Sequence, residues 1–328
     1  MSTNRPRDPE GQLYEWGARL FWGHLRKKRG DESSVSSGLA GTQRTPAALR
    51  AHIRALVSPG AKQVMVKITG GGRGMKAIQA HLRYISRLGK AEAGGRGQTL
   101  ELEDEQGNAL QGKQALRDLA DDWRLAGSYI VDESQRREAF NITLSMPEGT
   151  SPESVKDAAR AFAKEEFEGH KWVMVLHTDT QSPHVHLAVR AERCDGRRLN
   201  PRKADLQRWR ERFAARLQDR GVNALATPAR VRGVNRSAQP IWRVKAGPRA
   251  RRANAQQLSG ASHVRSHAEA REAWGRIRDA LNASNDAGDR LLAAEVDGFI
   301  SWAFGEGPSR GQDRQSRDAA AGDARRGQ

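Results

Sequence analysis

The sequence predicts an α+β fold in which a layer of antiparallel strands is covered by helices. Between residues 60 and 235, short apolar segments of strand length alternate with longer segments that carry apolar residues at helical spacing. Two strand segments are separated only by Thr178–Pro183, which favours a hairpin and therefore antiparallel pairing. Apolar residues make up 37% of the 328-residue chain, which is enough for one core with appended segments.

The first strand is predicted at Gln63–Thr69 (QVMVKIT), and the glycine-rich segment Gly70–Gly74 follows it directly. A helix over Met75–Leu88 comes next, because apolar residues recur there at helical spacing. Ser151 is expected to cap a later helix that has Pro152 at its first position and continues to about Phe167. The other predicted elements are a polar hairpin or loop at Thr99–Leu110, a helix at Gly112–Ala126, strands at Glu138–Met146, Lys171–His177 and His184–Arg190, a basic helix at Pro201–Arg220, and helices at about 264–282 and 287–304.

These elements divide the chain into four expected parts. Residues 61–235 hold all the predicted strands and are expected to form the functional domain. A leader and linker at 1–60 precede it, with a short amphipathic helix at Leu13–Leu25 and a stretch rich in Ser, Gly and Thr at 29–48. The expected parts that follow are a basic helical extension at 236–305 and a disordered tail at 306–328.

The charge of the chain indicates a polyanionic partner. The formal net charge is +17, and residues 196–252 alone hold 17 Arg and Lys residues against three Asp and Glu residues. Such a field favours nucleic acid, although a solvated basic face or a disordered arm is the alternative interpretation of the same charge. Neither a membrane-spanning run nor a signal-peptide pattern is found, and Cys194 is the single cysteine, so a reducing cytoplasm is the expected location.

Three histidines lie within ten residues around the predicted hairpin. His184 and His186 are two positions apart on one strand, so their side chains point to the same face, roughly 7 Å apart. His177 ends the preceding strand and comes beside His184 if the hairpin closes, with Asp179 nearby. Because imidazole is the commonest metal ligand and His-x-His on a strand is a good chelating pair, the pattern predicts a metal site rather than three solvent-facing histidines.

The types of ligand residue limit which metal ions and which classes of enzyme are compatible with the sequence. Nitrogen ligands with an optional carboxylate suit Mn²⁺, Zn²⁺ or Ni²⁺, whereas Mg²⁺ prefers oxygen ligands. Nucleotide hydrolases of the histidine-triad class carry His-x-His-x-His on a strand, but here the third of these positions is Ala188, which argues against that class. Gly70–Gly74 lacks the Gly-Lys-Ser/Thr ending of a nucleotide-binding loop, so it is either a tight turn or a simple phosphate contact.

Tyr84 is one of only three tyrosines, the others being Tyr14 and Tyr129. It lies at the edge of the apolar stripe of the first predicted helix, between Arg83 and Arg87. Phenols have a pKa near 10, so a nucleophilic tyrosine needs a positive environment or a nearby base, which arginines and a metal cluster would supply. Taken alone, the segment fits an ordinary amphipathic tyrosine better.

Together these motifs resemble the conjugative relaxases of the mobilisation-nuclease family, which includes MobA-like proteins and T-DNA border endonucleases. The segment His81–Arg87 (HLRYISR) is similar to the first motif of that family, and Phe140–Gly149 (FNITLSMPEG) is similar to its second motif region. The pattern His-x-Asp-x-x-x-Pro-His-x-His over residues 177–186 matches the third motif, which is the metal site. The resemblance covers about residues 62–235.

The resemblance implies an antiparallel sheet of about five strands flanked by helices, of the HUH relaxase type. Tyr84 then corresponds to the nucleophile that attacks a DNA phosphate, and His184 and His186 correspond to metal ligands. His177 completes the metal triad or accepts the proton of the tyrosine, while Asp179 orients a histidine or takes part in activating Tyr84. The expected DNA contacts are Arg83, Arg87, Arg202, Arg208, Arg212 and Arg216.

The function implied is site- and strand-specific nicking and joining of single-stranded DNA at an origin of transfer. It would proceed through a 5′-phosphotyrosine intermediate and initiate plasmid mobilisation or conjugative transfer. The expected cofactor is a divalent metal, Mn²⁺ or Mg²⁺ first, with Zn²⁺ or Ni²⁺ as alternatives. The further expected partners are accessory relaxosome proteins and a coupling protein.

Two alternatives accompany this hypothesis. Rolling-circle replication initiators use the same metal pair but place the catalytic tyrosine after the His-x-His motif, and no tyrosine follows His186 in this sequence. A non-catalytic DNA-binding relic of the fold is the second alternative, and the retention of Tyr84 and all three histidines argues against it.

Overall fold

The computed structural model describes residues 8–22, 45–58, 60–89, 99–232 and 261–304. The chain forms two compact units, one of residues 59–226 and one that combines residues 1–58 with 227–328. Most of the expected linker at 29–48, the start of the expected basic extension and the expected tail at 306–328 lie outside the described residues.

The unit of residues 59–226 is built on a six-stranded antiparallel sheet with the strand order β2-β5-β7-β6-β3-β4. Its strands are β2 (Met65–Gly70), β3 (Leu102–Asp104), β4 (Ala109–Leu110), β5 (Ala139–Ser145), β6 (His170–His177) and β7 (His184–Arg193). A separate parallel pair joins β1 (Lys62–Gln63) to β8 (Ala224–Leu225). Its helices are α3 (Met75–Ile85), α4 (Gly112–Leu125), α5 (Pro152–Glu166) and α6 (Lys203–Gln218).

Helices cover both faces of this sheet because successive strand residues point to opposite sides. On one face, Val185 and Leu187 of β7 pack in a core with Phe162 of α5 and with Trp209 and Phe213 of α6. On the other face, the core cluster joins α3 and α4 to β6; its members include Ile78, Leu82, Trp123, Val173 and Val175. Along β6 and β7, the histidines at 177, 184 and 186 alternate with residues whose side chains belong to the first core. Their own side chains therefore lie on the face that α3 and α4 cover.

The predicted α+β class and the antiparallel sheet are confirmed, with one strand more than the expected five. The polar segment at Thr99–Leu110, predicted as a hairpin or a loop, forms the hairpin, and its two strands β3 and β4 join the sheet through the pairing of β3 with β6. The helix predicted over Met75–Leu88 ends at Ile85 instead. Arg87 adopts a φ of 60°, and a residue in this left-handed region terminates an α-helix.

The glycine-rich turn before α3 packs against the backbone of residues 131–133. The first N–H groups of α3, at Met75 and Lys76, donate to the carbonyls of Val131 and Asp132. A Cβ atom at Gly74 would lie 2.3 Å from the Asp132 carbonyl oxygen, and φ there is 91°. The segment is therefore a close-packed turn, and the phosphate contact considered for Gly70–Gly74 has no free helix N-terminus to use.

The described residues of the other unit form the helices α1 (Pro9–Trp22), α2 (Pro46–Val57), α7 (Ala261–Asn282) and α8 (Ala287–Phe304), and a 3₁₀ turn at Ala229–Arg232. Leu13, Leu49 and Trp274 are buried in it. Arg50 of α2 donates two hydrogen bonds, of 2.7 and 2.8 Å, to the buried carboxylate of Asp289 in α8. Across the described ranges, no helix combines the length and the apolar character that spanning a membrane requires.

Candidate functional site

The three histidines of the hairpin converge on one point. His177 ends β6 and pairs directly with His184, which begins β7, and His186 follows on the same face. Their ring centroids are 4.6 to 5.3 Å apart, and one nitrogen from each ring lies within 4.8 Å of the other two. Three imidazoles at this separation form a donor set that fits a divalent metal ion.

Hydrogen bonds determine which nitrogen two of these rings can offer. The Nε2–H of His177 donates to the Ile85 carbonyl over 2.8 Å, and the Nδ1–H of His184 donates to the Ser182 carbonyl over 3.0 Å. Because a carbonyl only accepts, these contacts leave Nδ1 of His177 and Nε2 of His184 with free lone pairs. A backbone carbonyl behind a ligand histidine is the arrangement that fixes tautomer and ring orientation in metal sites.

Burial favours the neutral form of His177 and His186, which is the form that binds a metal. Burial and, to a smaller extent, the nearby rings of His177 and His184 together lower the pKa of His186 to about 3. Burial also lowers the pKa of His177, although its hydrogen bond to Ile85 acts in the opposite direction. Neither of these two rings therefore needs to lose a proton before it can coordinate a metal near pH 7.

Tyr84 projects from the last turn of α3 toward this cluster. Its side chain is 66% exposed, and its ring lies edge-on to His186 with a centroid separation of 6.4 Å. On its other side it stacks against His81, one helical turn earlier, at 6.3 Å. An open cavity of about 520 Å³ adjoins it on the outer face of the helix; its lining includes Lys76, Arg83 and Arg87.

Asp179 lies between His177 and an arginine. Its carboxylate forms an ion pair of 2.5 Å with Arg87, and its second oxygen is 4.0 Å from Nδ1 of His177. Burial raises the pKa of the Asp179 carboxyl, but Arg87 and His177 outweigh burial, so the net pKa is below the usual value. An ionised carboxylate held by Arg87 is suited to orienting charge around His177 and is a poor acceptor for the proton of Tyr84.

The structure does not bring the arginines of α6 to the histidines. Helix α6 packs on the opposite face of the sheet, and its arginines form ion pairs with neighbouring carboxylates. Arg208 and Arg212 contact Glu166 at 2.7 and 2.6 Å, and Arg216 is 2.9 Å from Asp219. Arg202 precedes the helix at its N-cap. The DNA contacts expected of these four arginines remain predictions without support from this placement, whereas Arg83 and Arg87 are next to Tyr84.

Residues 95–222 match the family model for the nuclease domain of MobA/VirD2-like relaxases. Over these residues the chain is similar to the nuclease domain of that family. The match takes in the sheet from β3 to β7, helix α6, all three histidines and Asp179, while Tyr84 lies upstream of it. No curated protein matches the chain. The relaxase domain thus contains the histidine cluster, and the role of the tyrosine depends on geometry alone.

His81 is a residue of this candidate site for which the sequence alone predicted no role. Its ring stacks on Tyr84, and burial lowers its pKa to about 4, so it is neutral near pH 7. The signal in the sequence was its position three residues before Tyr84, because residues three apart on a helix are neighbours.

Proposed function

We propose that this relaxase domain cleaves single-stranded DNA by tyrosine transesterification, with Tyr84 as the nucleophile. The observation that supports this most directly is the approach of the exposed Tyr84 ring to His186, 6.4 Å between centroids, at the rim of three convergent imidazoles. An exposed phenol next to a prospective cation site can reach a phosphate group of a bound strand. Arg83 and Arg87 line the adjoining cavity and add positive charge around it.

The histidines would hold a divalent metal ion, with Nδ1 of His177 and Nε2 of His184 as two of the ligand atoms. When bound there, the ion would polarise the scissile phosphate and stabilise the charge that develops on its oxygens. Asp179 is assigned a positioning role, since it is ionised, paired with Arg87 and close to His177. The identity of the metal, Mn²⁺ or Mg²⁺ against Zn²⁺ or Ni²⁺, remains part of the hypothesis.

The reaction replaces one phosphate ester bond with another, so the energy of the broken bond is retained in the protein–DNA linkage. The Tyr84 oxygen loses its proton and forms a bond to phosphorus while the bond from phosphorus to the 3′ oxygen breaks. The released 3′ oxygen takes up a proton, so the reaction neither consumes nor releases protons overall. The downstream strand then stays attached to Tyr84 through its 5′ phosphate and can be rejoined by the reverse reaction. This chemistry suits nicking and joining at an origin of transfer during plasmid mobilisation, where accessory relaxosome proteins and a coupling protein would expose and transport the strand.

The test uses single-stranded oligonucleotides from the DNA next to the gene, labelled at either end and incubated with Mn²⁺. We expect a covalent adduct that retains the fragment downstream of the nick, and peptide mass spectrometry should locate it on Tyr84. Tyr84→Phe should abolish the adduct and lower cleavage by several orders of magnitude, with DNA affinity unchanged.

Tyr129→Phe is the matched control, because Tyr129 is 57% exposed in the same unit and accepts a hydrogen bond from Arg124. It should cleave like the wild type, as should Tyr14→Phe in the other unit. Full cleavage without an adduct by Tyr84→Phe would contradict the proposal, because water would then be the nucleophile. Binding without any cleavage by the wild type would favour a non-catalytic relic.

A further inference from the structure

The histidines belong to two rows of side chains that cross the sheet from strand to strand. Directly paired residues of antiparallel strands place their side chains on the same face. The first row is Met65, Ser145, His184 and His177, and the second row is Lys67, Thr143, His186 and Val175. Both rows therefore continue from the histidines across β5 to β2.

The β2 end of this face is more open than the β6 end. Helices α3 and α4 pack over β6, where Val173 and Val175 are buried in their core, and no residue of β2 belongs to that core. Met65 and Lys67 of β2 are exposed. Among the residues that the structure describes, no carboxylate is within ion-pair distance of Lys67. We call the two exposed residues Met65 and Lys67, together with their buried partners Thr143 and Ser145 on β5, the open strip.

The open strip contains a polar atom that lacks a partner. Thr143 is only 8% exposed, and its Oγ1 has no hydrogen-bond partner within the described part of the chain. Buried hydroxyl groups are normally satisfied, so an orphaned one next to a functional site indicates a group that the protein binds there. Thr143 pairs directly with His186 and lies on the same face, so such a group would sit beside the histidine cluster.

We propose that Lys67 and Thr143 form a phosphate-binding subsite that guides the DNA strand away from the histidine cluster across the open strip. This inference rests on the proposed function, because it assumes that single-stranded DNA reaches the histidines. Neighbouring strands are about 4.8 Å apart, so Thr143 is one strand and Lys67 two strands, about 10 Å, from His186. A phosphate near the scissile one would accept a hydrogen bond from the threonine hydroxyl and a charge-assisted bond from the lysine.

A second explanation for Lys67 is available and makes a different prediction. Because β2 is the edge of the six-stranded sheet, a lysine there could serve only to prevent edge-to-edge pairing with another molecule. In that case the loss of its charge would change solubility and leave DNA affinity unaltered. The orphaned hydroxyl of Thr143 would also remain unexplained.

The experiment measures binding to a fluorescent single-stranded oligonucleotide over a range of salt concentrations. The oligonucleotide contains a cleavage site that has first been mapped with the wild-type protein, and the binding buffer contains EDTA. Lys67→Gln should weaken binding roughly tenfold at low salt. It should also reduce the slope of log K against log salt by about 0.7. Lys164→Gln is the matched control, because Lys164 is an exposed lysine of α5, which packs on the opposite face.

Thr143→Val removes the hydroxyl and keeps the shape of the side chain. It should weaken binding about threefold, while the melting temperature stays equal or rises because an unsatisfied buried group has been removed. A merely structural role for Thr143 would instead lower the melting temperature and leave binding intact.

A scan with single neutral methylphosphonate links around the mapped site locates the phosphate. In the wild type one position should reduce affinity, and in Lys67→Gln the same position should reduce it much less, because only the Thr143 hydrogen bond remains to be lost. Equal affinity and slope for Lys67→Gln and Lys164→Gln would overturn the subsite, as would a methylphosphonate effect that Lys67→Gln retains in full. Absence of a Tyr84 adduct in the wild type would refute the proposed chemistry. The affinity and salt measurements would still test the subsite in that case, because they can be made with an oligonucleotide whose cleavage site has not been mapped.

Discussion

His177 donates a hydrogen bond of 2.8 Å from Nε2 to the backbone carbonyl of Ile85, the residue that follows Tyr84. The bond therefore links the histidine hairpin to the last turn of the helix that carries the tyrosine. It leaves Nδ1 of His177 facing the other two rings, so one contact orients a prospective ligand and fixes the distance between the cluster and α3.

The three histidines should accordingly differ in what they contribute to stability. His177→Ala removes the partner of a buried carbonyl and should lower the free energy of unfolding by about 1–3 kcal/mol, besides abolishing Mn²⁺ binding. His184→Ala and His186→Ala should abolish Mn²⁺ binding with little loss of stability. Calorimetric titration and chemical denaturation in EDTA would measure both effects. Wild-type Mn²⁺ affinity in all three variants would refute the metal site.

Acid should destabilise the metal-free protein through the neutral histidines of this site. In the folded state the pKa of His186 is about 3 and that of His81 about 4, whereas both are about 6.5 in an unfolded chain. The unfolded state therefore binds more protons between these values, and the stability contribution present above pH 6.5 is lost as the pH falls toward 4. Urea titrations at several pH values should give a shallower dependence for the double variant His81→Gln, His186→Gln. An unchanged dependence would show that these residues are not neutral in the fold.

Arg87 should be a residue whose replacement reduces activity more than stability. Its φ of 60° costs roughly 1 kcal/mol for a residue with a Cβ, and glycine would relieve this strain. Arg87→Gly should therefore fold with near-wild-type stability while freeing Asp179 and slowing DNA cleavage. Asp179→Asn should slow cleavage to a similar extent, and the double variant should be no slower than either single one. Additive losses would mean that the two residues act separately.

The arginines of α6 should prove structural. The side chain of Glu166 is 6% exposed, and its carboxylate accepts hydrogen bonds from Arg208, Arg212 and the indole N–H of Trp209. The double variant Arg208→Gln, Arg212→Gln therefore leaves that carboxylate with only the Trp209 bond. We expect a loss of about 1–3 kcal/mol in unfolding free energy and an unchanged salt dependence of DNA binding. Arg216→Gln, whose partner carboxylates are about half exposed, is the milder control. A reduced salt slope in the double variant would restore α6 as a DNA contact.

Sequence alone predicted the parts of the site that depend on local periodicity. Alternation along β7 placed His184 and His186 opposite Val185, and the short hairpin loop brought His177 beside them. The placement of α6 could not be derived, because an amphipathic helix carries no sign of which sheet face it covers. The partners of Thr143 depend on β2 and β5 pairing in one particular register, which involves residues far apart in the chain.

The hairpin origin of all three imidazoles has a consequence for the order in which the protein matures. A hairpin closes on the order of microseconds, whereas pairing of β2 with β5 joins distant residues and is slow because of its chain-closure entropy. Tyr84 follows β2 in the chain, so the pairing of β2 with β5 takes part in bringing it to the histidines. On the proposed chemistry, a newly made chain would therefore complete its metal ligands early and its DNA-cleaving site last. A partly folded molecule would then bind the metal but would not yet cleave DNA.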